Sequence, residues 1–382
     1  MRILINAMGV TKRKAGVGVY AKSLIDLLVS NDKIHLFVLA QDDDSDFDYQ
    51  SLPNVTVLWV PSNLLRTPLI RLIFEQVVLP LILWKHHIDV VHSLHYSFPL
   101  ISGRAKNVVT IHDMTSFSMP EVHLTFKRLY YRAFIRAAAR LADALIFVSQ
   151  SARSDLIARF GPPKGISVVI HHGKSDSFSP CWDQEPLQQV RNKYGLPSRF
   201  ILYVGTIEPR KNLVRLVEAF SEIAALHPDT ALVIAGSKGW MYDSLFECVS
   251  RLQLEARIFF PGFVAEEDKR FLICAADVFA YISLYEGFGL PVLEALACGI
   301  PTLTSNTSSL PEVAGVAALA VDPMDVEQIA FSLNRLLSDS VLRQELNKAS
   351  LLQAAGFTWQ KTAACTIRVY RDTLDNAIAE LV

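Results

Sequence analysis

The stretch Leu284-Tyr285-Glu286-Gly287-Phe288-Gly289-Leu290-Pro291-Val292-Leu293-Glu294-Ala295-Leu296 decides the reading of this chain. Asp277-Val-Phe-Ala-Tyr-Ile-Ser283, just before it, is rich in β-branched and aromatic residues and reads as a buried strand. Pro291 stands where a first helical residue belongs and Gly299 where a helix should stop, and Pro301-Thr-Leu-Thr-Ser305 begins another short strand. The unit is strand, glycine-bearing loop, helix, strand. Gly287 and Gly289 permit unusual backbone angles and close approach of a ligand. The helix start adds free N–H groups and the positive end of a dipole. That combination suits a phosphate. Glu286 and Glu294 frame it with seven residues between them. A carboxylate repels phosphate, so its partners are neutral hydroxyls. The ligand described is a sugar joined to a ribose through a diphosphate.

Working outward, residues 2–7, 34–40, 55–60, 108–111 and 144–148 read as strands separated by helical spacing, beginning with a helix over 20–29. Pro162-Pro163 and the Ser-, Asp- and Pro-rich run 173–186 mark a loop or domain linker. A second alternating series follows at 200–204, 231–235, 258–260, 278–283 and 301–304. The fold class is α/β, with two Rossmann-like doubly wound domains, and such sheets bind ligands at the carboxyl ends of their strands. Expected boundaries are 1–173, 174–355 and a C-terminal helix over 356–382, with Thr358 as N-cap. At 382 residues two domains are also what core size dictates.

The five blocks along the chain carry a specific resemblance. Glu286 to Glu294 matches the E-x7-E motif of the family 4 retaining glycosyltransferases. Gly205-Thr-Ile-Glu-Pro-Arg-Lys-Asn-Leu213 resembles that family's phosphate-binding segment, and Val233-Ile-Ala-Gly236 and Phe260-Pro-Gly-Phe263 resemble two further blocks. The likeness runs from Gly16-Val-Gly18 to Phe357-Thr-Trp359 and is stronger in the C-terminal half. It implies the GT-B fold, with a cleft between the domains and the last helix crossing back to the first. It implies a nucleotide-diphosphate sugar donor and no cofactor. Thr110-Ile-His-Asp113, Pro120-Glu121 and Gly205-Thr-Ile-Glu-Pro-Arg-Lys look most like bacterial mannosyltransferases of surface-polysaccharide assembly. GDP-mannose is then the expected donor and a glycan or lipid-linked hydroxyl the acceptor.

The resemblance also assigns roles. Glu286 lies on the hydroxyls of the donor sugar near the anomeric centre, and Glu294 accepts from the ribose. As a first-turn residue Glu294 also complements the helix dipole. Phe288 and Leu290 complete the donor loop with Gly287 and Gly289. Lys211 matches the family lysine that meets the diphosphate. Arg210 precedes it, but Thr206 stands where many relatives carry an arginine, so a solvated basic pair is the alternative for Arg210. His112 follows a strand at its carboxyl end and in the family faces the donor sugar. Gly16 and Gly18 fit G-x-G-x-x-A, but they begin about nine residues after the first strand, too far for a dinucleotide turn. They are read as the glycine loop that touches the donor phosphate from the first domain.

Other patterns exclude classes. His86, His87, His92 and His95 have no ligand spacing, so they point to no zinc site. The run Asp42 to Asp48 contains D-x-D patterns but falls in an early polar loop, away from the donor half. No metal is expected. The five cysteines form no C-x-x-C pair and read as reduced core residues of a cytoplasmic protein. The start is too short and too quickly polar for a signal peptide. A net charge of −1 hides an asymmetry, because residues 1–173 carry 19 Lys+Arg against 13 Asp+Glu, a net of +6. No nucleic-acid motif accompanies that charge, so an anionic membrane at the inner face of the cell is the expected contact. Residues 68–84 form the most apolar window, interrupted by Arg71, Glu75 and Pro80, so a spanning helix is not expected. The basic, aromatic stretch Phe126 to Arg140 suits either a lipid interface or a helix packed on the sheet. Two other functions stay open: a sugar-nucleotide epimerase on the same fold, and a non-catalytic nucleotide-sugar-binding protein.

Overall fold

The computed structural model describes residues 1–10, 16–49, 51–65, 67–120 and 125–375. The basic run Lys12-Arg13-Lys14 and Glu121 lie outside the described residues. The chain divides into two compact units, one of Met1–Gly173 with the chain from Thr358 onward, the other of Lys174–Phe357.

Among the described residues the first unit holds seven parallel strands: β1 (Arg2–Asn6), β2 (His35–Gln41), β3 (Val55–Val60), β4 (Val90–Ser93), β5 (Lys106–Ile111), β6 (Ala144–Phe147) and β7 (Ile166–Val169). They are ordered β3-β2-β1-β4-β5-β6-β7. The second holds six: β8 (Arg199–Val204), β9 (Thr230–Ala235), β10 (Ile258–Gly262), β11 (Val278–Tyr281), β12 (Thr302–Ser305) and β13 (Leu319–Val321). Their order is β10-β9-β8-β11-β12-β13. Both are doubly wound. The order reverses between β1 and β4 in one sheet and between β8 and β11 in the other, and a crevice opens at such a switch point. Most expected strands lie within two residues of the observed ones. β10 runs on through Pro261 because it is an edge strand with a register shift between Phe259 and Gly262, where proline removes no needed ladder bond.

One helix starts earlier than its spacing predicts, at Gly16 rather than Tyr20. The expected glycine loop is therefore the first turn of a helix, Gly16–Leu28. Two glycines cost about 1 kcal/mol each there. Burying Tyr20, Leu24, Ile25 and Leu28 returns about 1.5–3 kcal/mol for each large side chain, so packing wins.

Residues 68–85 form three consecutive helical segments: Pro68–Ile73, a wide turn over Phe74–Val78, and Leu79–Lys85. Leu79 and Leu83 pack into the core with Leu4, Phe37 and Val91. Among the described residues no helix is long and apolar enough to cross a membrane. The last helix, Trp359–Leu374, is capped by Thr358, whose hydroxyl accepts from the Lys361 amide at 3.2 Å. Its Tyr370 hydroxyl meets His92 Nδ1 at 2.7 Å, and His92 Nε2 lies 2.8 Å from Thr110 Oγ1, itself 3.1 Å from the Tyr20 hydroxyl. Burial takes the His92 pKa down to about 3, so the ring is a neutral link in this chain of bonds.

Candidate active site

The quoted stretch builds a site at the switch point of the second sheet. The strand β11 ends at Tyr281, and the loop after it is held from below by hydroxyls of the next strand and loop. Ser305 Oγ donates to Ser283 O at 2.7 Å, and Ser309 Oγ lies 2.9 Å from Glu286 O and 2.8 Å from Phe288 O. The Glu286 amide donates to Ser308 Oγ at 3.0 Å. Gly289 has φ +109°, and a Cβ there would come within 2.7 Å of Leu310 Cδ2. Only glycine turns the chain there into the helix Leu290–Ala297. Gly299 closes that helix at φ +71°: its amide meets Leu296 O at 2.9 Å and the Ile300 amide meets Ala295 O at 3.1 Å.

Glu286 is buried, not a solvated loop residue. Lys211 Nζ donates to its Oε1 at 2.5 Å, the Tyr281 hydroxyl donates to the same oxygen at 3.1 Å, and Arg210 Nη1 donates to Oε2 at 2.8 Å. Arg210 and Lys211 come from a short turn, Pro209–Lys211, just after β8. Arg210 is doubly committed. Its Nη2 lies 2.7 Å from Glu208 Oε1, and its Nη1 also reaches Tyr285 O at 2.7 Å. The structure thus brings Arg210, Lys211 and Glu286 together, and neither cation is a solvated surface charge. Burial alone would raise the Glu286 pKa, but the Arg210 and Lys211 charges overcome it and hold it at about 2. Burial lowers the Lys211 pKa, and Glu286 opposes that. For Arg210 the two carboxylates outweigh burial and raise it. The Tyr281 hydroxyl is pushed well up, by burial and then by Glu286, so it stays a donor.

Glu294 sits one turn into the Leu290–Ala297 helix and is also buried. Its partner is Lys269, on the helix Glu266–Cys274, which the motifs do not point to. Lys269 Nζ hydrogen-bonds Oε1 at 2.8 Å. Glu294 Oε2 is equally close to Nζ but accepts no hydrogen bond from any described residue. Burial pushes the Glu294 carboxyl up despite Lys269. A buried carboxylate of raised basicity, paired with a single lysine and with lone pairs to spare, suits a hydroxyl donor.

The other expected residues belong to the first unit. His112 follows β5, and its Nε2 lies 2.8 Å from Leu94 O. A carbonyl only accepts, so Nε2 carries the proton and Nδ1 the lone pair. Burial lowers its pKa, against the opposing Leu94 bond and Asp113 charge, and keeps the ring neutral. Tyr20, on the helix that Gly16 and Gly18 open, packs edge-on against His112 at 5.3 Å. The Asp42–Asp48 run is used locally. Asp42 accepts from the Ser62 amide at 2.9 Å, and Asp44 caps the turn Ser45–Phe47. Among the described residues no three His, Cys, Asp or Glu side chains gather as a metal-binding group.

Comparison with known proteins adds to this geometry. Residues 15–175 match the family model described as Glycosyltransferase Family 4, and residues 187–352 the model described as Glycosyl transferases group 1. The chain is 36% identical over 285 residues to the O-antigen chain mannosyltransferase B of Escherichia coli, covering 73% of each chain. It is 32% identical over 298 residues to the serotype-specific mannosyltransferase WbdA of the same organism, covering 75% of this chain but 36% of that one. Among solved structures, the sucrose-phosphate synthase of Thermosynechococcus elongatus superposes with a TM-score of 0.78 at 20% identity, over 98% of this chain and 100% of the other. That likeness is one of fold.

Proposed function

The chain belongs to the family 4 glycosyltransferases, and from that premise we propose that it moves mannose from GDP-mannose, with retention, to a hydroxyl of a surface-polysaccharide or lipid-linked glycan. The observation that carries the reading is the cluster of Arg210, Lys211 and Glu286 at the carboxyl ends of β8 and β11. Two cations beside a carboxylate at a switch point offer a diphosphate and a sugar separate partners. Phosphate oxygens compete with Glu286 for Arg210 and Lys211, and the exchange frees Glu286 to accept from a sugar hydroxyl. Glu294, whose carboxylate has lone pairs beyond those facing Lys269, takes the ribose. Gly287, Phe288, Gly289 and Leu290 supply the loop, and His112, Gly16 and Gly18 are donor contacts on the family resemblance alone.

In the reaction the acceptor oxygen attacks the anomeric carbon on the face from which the diphosphate leaves. The bond from that carbon to the phosphate oxygen breaks with its electron pair, and the departing oxygen takes the acceptor's proton. Charge grows on the diphosphate as it leaves, and fixed cations stabilise it without reorganising. Mannose and the glycan acceptor rest on the names of the two relatives. Peripheral contact with an anionic membrane at the cytoplasmic face rests on the +6 charge of the first 173 residues.

Calorimetry against GDP-mannose, UDP-glucose and UDP-N-acetylglucosamine tests the donor. GDP-mannose should bind tightest. Preference for a uridine sugar refutes the donor, and isomerisation of a nucleotide sugar without any acceptor would replace transfer by epimerisation.

A further inference from the structure

The three helical segments over 68–85 leave an apolar stripe on their outer side. Leu69, Ile73, Val77, Leu81 and Trp84 recur at intervals of four and three residues, and all are exposed, Leu81 to 61% and Trp84 to 78%. The opposite side already serves the core through Leu79 and Leu83. The stripe runs roughly 20 Å at helical rise. Two neighbours widen it. The Gln76 side chain donates to Phe98 O and accepts from the Leu100 amide, both at 3.0 Å, which sets Leu100 and Ile101 beside the stripe. Tyr130 donates to Glu75 Oε2 at 3.1 Å, tying on the first turns of the helix Thr125–Leu141, where Phe126 and Leu129 are exposed. Isolated apolar side chains on a surface need no explanation, but a contiguous patch of this extent marks a contact surface.

Charge selects the occupant. Residues 67–87, 98–104 and 125–141 contain one acidic side chain, Glu75. It is buried and bonded to Ser97 and Tyr130. The bases Lys85, Arg104, Lys127 and Arg136 are exposed at the margins. A second copy would bring like charges face to face, whereas an anionic bilayer is complementary. Trp84 beside Lys85, at the end of an apolar run, is the arrangement that sits at a lipid–water boundary. We propose that the stripe Leu69–Trp84, with Leu100 and Ile101, inserts into the headgroup boundary of an anionic membrane. This rests on the membrane contact of the preceding reading and relocates it. The Phe126–Arg140 stretch buries Phe134, Ile135, Ala138 and Ala139, so only its first turns reach the rim.

Co-sedimentation with phosphatidylglycerol–phosphatidylcholine vesicles, against phosphatidylcholine alone, tests it. The wild-type chain should bind the anionic vesicles, and Leu81→Ser/Trp84→Ser should weaken partitioning about 10- to 100-fold, since it removes two large apolar side chains from the boundary. Lys127→Glu/Arg136→Glu should lose binding chiefly at low salt. Trp84 emission should shift to the blue and be quenched by brominated lipid, a signal absent from Trp84→Phe although that variant still binds. Calorimetric donor affinity, unchanged in all variants, reports the fold. If the wild type binds and Leu81→Ser/Trp84→Ser binds equally, the placement is overturned while membrane contact stands. If the wild type ignores both vesicles, the contact itself falls. A dimer that Trp84→Ser dissociates, without vesicle binding, would make the stripe an interface between copies and overturn the proposal.

Discussion

Glu286→Gln isolates the charge of the central carboxylate, because glutamine keeps the shape and an oxygen that still accepts. In the native chain Arg210 and Lys211 hold the Glu286 pKa at about 2, against an ordinary value of 4.5. Its side chain is 10% exposed, so solvent screens little of this. The folded value is depressed, so the stabilisation is present above the unfolded pKa and is lost as pH falls from about 4.5 through about 2. A shift of 2.5 units corresponds to about 3 kcal/mol at pH 7, falling to about 1.4 kcal/mol at pH 3. The same variant leaves the buried Lys211 without its counter-charge, beside the Tyr281 hydroxyl at 2.7 Å, while Arg210 keeps Glu208. Urea unfolding of wild type and variant in parallel at pH 7, 4 and 3 measures the difference, and other carboxylates cancel. A gap of about 3 kcal/mol at pH 7 that shrinks by half at pH 3 is expected. A gap that is absent at pH 7, or unchanged at pH 3, would refute the claim that this carboxylate is fixed by its two cations.

The two glutamates should also separate kinetically. Glu294→Ala should mainly raise the donor KM, by about 10- to 150-fold for each charged hydrogen bond lost, while Glu286→Gln should chiefly lower kcat; kcat unchanged in Glu286→Gln and abolished in Glu294→Ala would reverse the roles. Transfer should survive excess EDTA, because Asp42 and Asp44 are engaged in local capping bonds in the first unit. Activity lost on chelation and restored by manganese would refute that.

Much of the architecture was legible because parallel strands buried on both faces read as short continuous apolar runs. β8, β9 and β11 are of this kind, and each was found within two residues. β7 and β13 were not: Ile166–Val169 follows the Pro162-Pro163 loop, and Leu319–Val321 is three residues long. The first has a serine within its four residues, which breaks the apolar run, and the second is too short to show a period. The start at Gly16 was missed for a different reason. Local propensity argues against glycine in a helix, and the burial of Tyr20 against His112 and Thr110, with that of Leu24, Ile25 and Leu28, reverses that. The stripe over 68–85 fell between templates. It is too interrupted for a spanning helix and apolar on both sides, so its exposed face could not be told from its buried one without the packing.

At the site, legibility followed the distance in sequence between partners. Arg210 and Lys211 were singled out because they follow a strand end and Lys211 matches the family lysine, but their attachment to Glu286 is a tertiary fact created by β8 and β11 lying side by side. Lys269 shows the limit. It lies within Glu266-Glu-Asp-Lys-Arg270, which reads as a solvated helix face, and its distance from Glu294 along the chain follows no motif period. Packing of the two helices turns it into the cation that fixes Glu294. The consequence is chemical. Burial pushes the Glu294 carboxyl up, toward the neutral acid, and Lys269 opposes that from 2.8 Å of both carboxylate oxygens. A neutral acid would offer a ribose hydroxyl a weaker acceptor than a carboxylate does. In the role proposed for Glu294, the acceptor strength of the motif's second glutamate therefore depends on a lysine outside the motif.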